Sequence, residues 1–135
     1  MANADPVIAV VDDESRVRTM LGRVLRVADY RVAMFACGED FLNSLTGRLP
    51  ACVILDVHMP GLSGFDVRSR MHSMRVDVPV ILITASDDCG LDRLAAEAGA
   101  ACLLRKPFSS EQLLEAVGIA VGSDPTEPDA TDIAQ

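Results

Sequence analysis

Five polar side chains in this 135-residue chain each stand at or just after the end of a short apolar run. An apolar run followed by polar or breaker residues is typical of a buried strand that ends in a loop. The side chains are those of Asp12, Asp13, Asp56, Thr84 and Lys106. Their spacing along the chain is wide, so they can share one chemistry only if the fold brings these run ends together.

Three carboxylates in one place repel each other, and their proximity requires a cation, raised pKa values, or both. Because every candidate ligand atom is an oxygen, the set favours Mg²⁺. A lysine and a hydroxyl beside such a metal suit an anion with several oxygens, and phosphate fits best. An aspartate in such a site can itself be the nucleophile and form an aspartyl phosphate.

The elements that would position these residues alternate regularly. Five apolar runs predict strands at 6–11, 30–35, 52–56, 79–84 and 101–104. Between and after them, apolar residues at helical spacing predict five helices, the fourth roughly at 88–98, with Ser63 and Ser109 as N-caps and Gly99 as a stop signal. The alternation predicts βαβ units and a parallel sheet covered on both faces. All strand carboxyl ends then meet at one edge, where the five side chains can form one pocket.

Composition narrows the class of protein. Half of the residues are hydrophobic but only 4% are aromatic, and the formal net charge of -8 argues against a basic surface that binds nucleic acid. The four cysteines form no C-x-x-C pair, which predicts free thiols rather than a zinc site or disulfides. No apolar run approaches the length of a membrane span, and no signal peptide is evident, so we expect a cytoplasmic protein. Residues 122–135 are acidic and proline-containing, which predicts a disordered tail or linker stub after a domain at 1–121.

Five motifs in this order and spacing resemble the receiver domain of two-component response regulators. They are VVDDE, ILDVHMPGLSG, ILITA, EAGA and RKPF, and the resemblance covers roughly residues 6–121. FACGEDFLNSL and DVHMPGLSG are most similar to the FixJ/NarL-type group. The resemblance implies a flavodoxin-like (CheY-like) doubly wound α/β fold, with five parallel strands in the order 2-1-3-4-5 and five helices.

The resemblance also implies a role for each residue of the pocket. Asp56 would accept a phosphoryl group from the phosphohistidine of a sensor histidine kinase. Asp13, Asp56 and the backbone carbonyl of His58 would ligate Mg²⁺, with Asp12 acting mainly through bound water. Lys106 would pair with the phosphoryl oxygens. Self-phosphorylation and self-dephosphorylation would be the only reactions, so we do not expect a turnover enzyme.

Further implications concern the switch that follows phosphorylation. Thr84 would move to hydrogen-bond the phosphoryl group, and the small Ala85 would leave room for it. The position three residues before the lysine often holds Tyr or Phe in this family but holds Leu103 here. Pro107 would follow a cis peptide bond. Helix 4, strand 5 and helix 5, roughly 88–121, would form the face that contacts an output domain or partner, including a phosphorylation-dependent homodimer.

Two other classes of protein share part of this pattern. A phosphatase of the haloacid-dehalogenase type also combines an aspartate nucleophile with Mg²⁺, but it carries a D-x-D motif on its first strand. A degenerate receiver would act only as a protein-binding module. Taken singly, Asp12 and Asp13 could cap a helix, and Lys106 could be a solvated surface lysine. The side chain of His58 could reach a metal, although a place at the rim is the better interpretation.

Overall fold

The computed structural model describes residues 6–122. Within this range lie five strands and five helices in strict alternation. Their order is β1 (Val7–Val11), α1 (Ser15–Val27), β2 (Arg31–Phe35), α2 (Gly38–Ser44), β3 (Cys52–Asp56), α3 (Gly64–Ser73), β4 (Val80–Thr84), α4 (Gly90–Glu97), β5 (Cys102–Arg105) and α5 (Ser110–Gly122). The tail predicted at 122–135 lies outside the described residues, apart from Gly122 at the end of α5.

All five strands are parallel and lie in the order β2-β1-β3-β4-β5, which confirms the predicted fold class. Strands β3 and β4 are buried at every residue, as the continuous apolar runs predict. Strand β2 lies at an edge and exposes Arg31, as its mixed composition indicates. Asp56 therefore stands at the carboxyl end of the central strand.

Two hydrophobic clusters cover the two faces of the sheet. On one face, Leu55 and its neighbours contact α2, α3 and α4 through side chains such as Phe41 and Met71. On the other face, Ile54 and its neighbours contact α1 and α5 through side chains such as Leu25 and Leu113. Successive residues of a strand point to opposite faces, so each strand contributes to both clusters. Among the described residues, no helix has both the length and the apolar character needed to cross a bilayer.

Both predicted N-caps are confirmed. The Ser63 Oγ accepts from the Asp66 N–H at 3.1 Å, and the Asp66 carboxylate accepts from the Ser63 N–H at 2.9 Å. Ser109 and Gln112 make the same reciprocal pair before α5, at 3.0 and 2.9 Å. Such boxes satisfy N–H groups that a helix leaves without internal acceptors. The first box fixes where α3 begins relative to the end of β3.

The predicted helix at 88–98 is shorter in the structure. Helix α4 begins at Gly90, and before it the Asp88 Oδ1 accepts from the Gly90 N–H at 2.9 Å. Aspartate commonly closes a turn by accepting an N–H two residues ahead, which competes with helix formation. At the other end, Gly99 has a φ of +79°, a conformation that favours glycine, and it ends the helix as predicted.

Candidate functional site

An acidic cluster lies at the carboxyl edge of the sheet. Strands β1 and β3 are neighbours with Val11 opposite Leu55, so Asp12 and Asp56 follow at adjacent positions. Oxygens from Asp12, Asp13 and Asp56 all lie within 4.8 Å of one another. Asp12 is fully buried and Asp56 is 5% exposed, whereas Asp13 is exposed. Three oxygen ligands that converge in this way suit a hard divalent cation.

Lys106 reaches this cluster from the end of β5. Its Nζ lies 3.3 Å from Asp12 Oδ2, 3.6 Å from Glu14 Oε1 and 4.0 Å from Asp56 Oδ1. Its backbone N–H donates to the Thr84 carbonyl at 2.7 Å, and its peptide bond to the following proline is cis. Burial lowers the pKa of Lys106, but Asp56, Asp12 and Glu14 outweigh burial and raise it. The ammonium group is therefore charged at neutral pH.

The carboxyl of Asp56 has a pKa raised from 3.8 to about 6. Burial is the main cause, and the negative charges of Asp12 and Asp13 add to it. Lys106 and the His58 N–H, which lies 3.4 Å from Asp56 Oδ1, act in the opposite direction but do not compensate. The cluster thus holds more negative charge than its lysine neutralises, which is the condition for attracting a cation.

Asp12 also organises the loop after β1. Its Oδ1 accepts from the Glu14 N–H at 2.9 Å, and its carbonyl accepts from Arg18 Nη1 at 2.6 Å. The residue at the N-cap of α1 is Glu14, and neither aspartate of the pair caps the helix. The helix-capping interpretation of this pair is therefore wrong, and so is the interpretation of Lys106 as a solvated surface lysine.

Thr84 lies beside the cluster, and within residues 6–122 its hydroxyl makes no hydrogen bond to a carboxylate of the cluster. Asp56 is opposite Ile83 in the register, so Thr84 ends the neighbouring strand one residue further on. Its side chain is fully buried, and its Oγ1 accepts from the Ser86 N–H at 3.0 Å. In this structure the Thr84 hydroxyl therefore bonds to the loop that follows its own strand.

The remaining predicted residues are His58 and Leu103, and of these two only His58, through its backbone N–H, donates to one of the carboxylates in the described part of the chain. The His58 side chain is exposed, in keeping with a place at the rim. Leu103 is half-buried and packs against the hydrophobic cluster shared by α2, α3 and α4. Leu103 therefore contributes to the hydrophobic packing of β5.

Sequence reasoning missed two residues that shape the site. Glu14 is the third carboxylate that contacts Lys106, and its place in the acidic run of VVDDE was the available signal. Gly64 was missed because a glycine at the start of a helix has no distinctive pattern. A Cβ on Gly64 would lie 2.7 Å from the carbonyl oxygen of Asp56, so only glycine allows α3 to approach the end of β3 this closely.

Comparisons with known proteins agree with this geometry. The family model described as the response regulator receiver domain matches residues 8–118. The transcriptional regulatory protein FixJ of Bradyrhizobium diazoefficiens is 33% identical over 84% of this chain and 56% of its own length. The response regulator protein TmoT of Ectopseudomonas mendocina is 34% identical over 94% of this chain and 58% of its own. The chain thus spans little more than half of these relatives.

Solved structures extend the likeness to three dimensions. A response regulator receiver protein from Burkholderia phymatum superposes with a TM-score of 0.80 at 39% identity, covering 87% of this chain and 96% of that one. The comparisons give no support to the phosphatase alternative. With a family model that matches most of its length, this chain belongs to the response regulator receiver domain family, whose members act in phosphorelay signalling.

Proposed function

We propose that this domain is a Mg²⁺-dependent phospho-acceptor switch with Asp56 as the acceptor. The observation that carries the proposal is the convergence of Asp12, Asp13 and Asp56 within 4.8 Å, with Lys106 Nζ 3.3 and 4.0 Å from two of them. A buried aspartate with a lysine and two further carboxylates is arranged to receive an anionic phosphoryl group together with a cation.

The chemistry follows from the side chains. A carboxylate oxygen of Asp56 attacks phosphorus, the bond from phosphorus to the donor's imidazole nitrogen breaks, and that nitrogen takes up a proton. The product is an acyl phosphate on Asp56. Lys106 neutralises phosphoryl oxygens that arrive beside Asp56 Oδ1, 4.0 Å from its Nζ. The pKa of about 6 leaves Asp56 mostly ionised at neutral pH, as a nucleophile must be.

The oxygen atoms of the acidic cluster suit Mg²⁺. Asp13, Asp56 and the backbone carbonyl of His58 would hold Mg²⁺, with Asp12 acting through a bound water. A bound Mg²⁺ supplies the positive charge that the acidic cluster lacks and that the phosphoryl oxygens need. The exposure of Asp13 leaves this side of the cluster open to water and to an incoming donor.

Phosphorylation then biases the loop that follows β4. The Thr84 hydroxyl no longer accepts from the Ser86 N–H and instead donates to the phosphoryl group. This change shifts an equilibrium between two arrangements of the loop. Ala85 offers no bulky side chain to obstruct the group. The readout face is formed by α4, β5 and α5, for an output domain or for a phosphorylation-dependent homodimer.

The proposed function also implies a phosphoryl donor and a cellular compartment. A sensor histidine kinase or a phosphotransfer protein is the donor, and the domain itself contacts neither nucleic acid nor membrane. Residues 122–135 serve as a tail or as a linker to an output module. The reaction takes place in the cytoplasm.

Acetyl phosphate provides a direct test, because it is a donor that needs no kinase. Purified protein with Mg²⁺ and acetyl phosphate is expected to gain one phosphoryl group, measured by intact mass spectrometry. Asp56→Asn keeps the size of the side chain but removes the nucleophile, so it should gain none. Asp77→Asn is the matched control, because Asp77 is exposed and makes no hydrogen bond or ion pair among residues 6–122. Equal uptake by Asp56→Asn and the control would exclude Asp56 as the acceptor.

A further inference from the structure

Three consecutive side-chain hydrogen bonds hold the loop between β4 and α4. The Thr84 Oγ1 accepts from the Ser86 N–H at 3.0 Å, and the Ser86 Oγ accepts from the Asp88 N–H at 3.1 Å. The Asp88 Oδ1 then accepts from the Gly90 N–H at 2.9 Å. Each side chain binds the backbone two residues ahead. The bonds therefore run without a gap from Thr84 to the first residue of α4.

Arg105 ties the far end of this loop back to the sheet. It is the last residue of β5 and lies opposite Thr84 in the strand register. Its Nη2 donates to the Asp88 carbonyl at 2.7 Å, and its Nη1 donates to Asp92 Oδ1 at 3.0 Å. One guanidinium group thus joins the loop, the first turn of α4 and the strand that leads to Lys106.

We propose that Arg105 is a positioning residue that holds the 84–90 loop in its unphosphorylated arrangement. The proposal rests on the function proposed above, since it assigns the control of Thr84. When the Thr84 hydroxyl turns to a phosphoryl group, Ser86 N–H loses its acceptor and the first of the three bonds is gone. The Arg105 bonds to Asp88 and Asp92 oppose the loop movement that follows.

Thermodynamic reciprocity gives the direction of the effect. If phosphorylation weakens the Arg105 contacts, then removal of those contacts must favour the phosphorylated arrangement by the same factor. The side chains of Arg105 and Asp92 are 32% and 62% exposed, so the effect is modest. If acetyl phosphate reacts with the molecules that already have the released loop arrangement, the rate of phosphorylation rises with their population. We therefore expect phosphorylation about two- to tenfold faster without the contacts, the range for an exposed ion pair plus one hydrogen bond.

Two substitutions that remove opposite charges distinguish the positioning role of Arg105 from a direct effect of charge on the anionic donor. Arg105→Met keeps most of the aliphatic stem but makes the neighbourhood of the pocket more negative. Asp92→Asn makes it less negative and also breaks the ion pair. A charge effect on the anionic donor moves their rates in opposite directions, whereas release of the loop accelerates both. Arg93→Met is the matched control, because Arg93 is exposed on α4 and makes no ion pair or hydrogen bond within residues 6–122.

The experiment measures the rate of phosphorylation by acetyl phosphate with Mg²⁺, and amide ¹⁵N–¹H shifts without a donor. Arg105→Met and Asp92→Asn are expected to be faster than wild type. Their Ser86, Asp88 and Gly90 amide signals should lie displaced toward the positions found after phosphorylation. Arg105→Lys retains the charge but cannot bridge both acceptors, and it should fall between Arg105→Met and wild type.

Rates that move in opposite directions for Arg105→Met and Asp92→Asn would overturn the proposal, as would amide signals that match those of Arg93→Met. A failure of this inference is distinguishable from a failure of the proposed function. In the first case wild type is phosphorylated on Asp56, but Arg105→Met and Asp92→Asn show no common acceleration. In the second case wild type itself gains no phosphoryl group on Asp56.

Discussion

The ends of β3 and β4 lie side by side but are held in different ways. Beyond Asp56, backbone bonds close the chain: Val57 N–H donates to the Ile83 carbonyl at 2.8 Å, and Gly64 N–H donates to the Val57 carbonyl at 3.0 Å. Beyond Thr84, the bonds come mostly from side chains of partly or fully exposed loop residues such as Ser86 and Asp88. Both strands are buried throughout, so the contrast begins only where they end.

Under the proposed function, this difference would separate the phospho-acceptor site from the loop that switches. A nucleophile and its metal ligands must keep their geometry, which backbone bonds and tight packing secure. A switch must leave one arrangement for another at small cost, and hydrogen bonds exposed to water can be exchanged with little loss. Changes at the end of β3 should therefore affect stability strongly, and changes at the end of β4 should mainly affect switching.

The largest effect is expected for Asp56→Asn measured with EDTA. Folding raises the pKa of Asp56 from 3.8 to about 6, so the folded state binds its proton more tightly than the unfolded chain. The contribution of this group to stability is therefore present at low pH and is lost as pH rises through 6. At pH 8 the variant should be more stable by up to about 3 kcal/mol, at about 1.4 kcal/mol per pKa unit.

Urea denaturation at pH 4 and pH 8 checks this prediction. The advantage of Asp56→Asn should be much smaller at pH 4, where Asp56 is protonated in the folded state. Asp77→Asn again serves as the control. A stability difference that is the same at both pH values would show that the charge on Asp56 does not destabilise the folded state.

Gly64→Ala should destabilise the protein by about 2 kcal/mol, the cost of forcing a methyl group into closely packed backbone. The new Cβ would lie 2.7 Å from the Asp56 carbonyl oxygen, so α3 or the end of β3 must shift. Uptake of phosphoryl group should slow in parallel. Gly118→Ala in α5 is the control, since nothing lies within 4 Å of its added Cβ. A tolerated alanine at 64 would mean that the end of β3 is less rigid than we infer.

Mg²⁺ should stabilise the wild-type protein by about 1.4 kcal/mol at ten times its dissociation constant. The cation relieves the repulsion among carboxylates that lie within 4.8 Å of one another. A thermal melt with and without EDTA measures the effect. Asp13→Asn removes the exposed carboxylate and should abolish most of it. An unchanged response in that variant would remove Asp13 from the metal site.

The smallest effect on stability is expected for Ser86→Ala, below about 0.5 kcal/mol for a partly exposed side chain. The variant loses the 3.1 Å bond from the Asp88 N–H, which water can replace. Its amide signals at Asp88 and Gly90 should nevertheless shift, because the middle of the three loop bonds is gone. A loss of stability as large as that of Gly64→Ala would erase the contrast between the two strand ends.

The sequence by itself determined the fold class and predicted the polar residues at the carboxyl edge of the sheet, apart from Glu14. Continuous apolar runs that alternate with amphipathic helices are typical of strands buried on both faces, so β3 and β4 could be predicted directly from 52–56 and 79–84. Their polar ends at Asp56 and Thr84 followed from the same runs, because parallel strands present their carboxyl ends at one edge. Ser63, Ser109 and Gly99 were readable because caps and stops are local signals.

Only the tertiary structure decided how these parts interact. The contacts of Lys106 with Asp12 and Glu14 join residues far apart in the chain, and no local pattern encodes their distances. The need for glycine at 64 arises from backbone that belongs to another element. The same is true of Arg105, whose partners lie in a loop and a helix that only the folded sheet brings within reach. Local propensities depend on residues that are close in the sequence. Burial, shifted pKa values and long-range contacts depend on the folded sheet, which brings distant residues together.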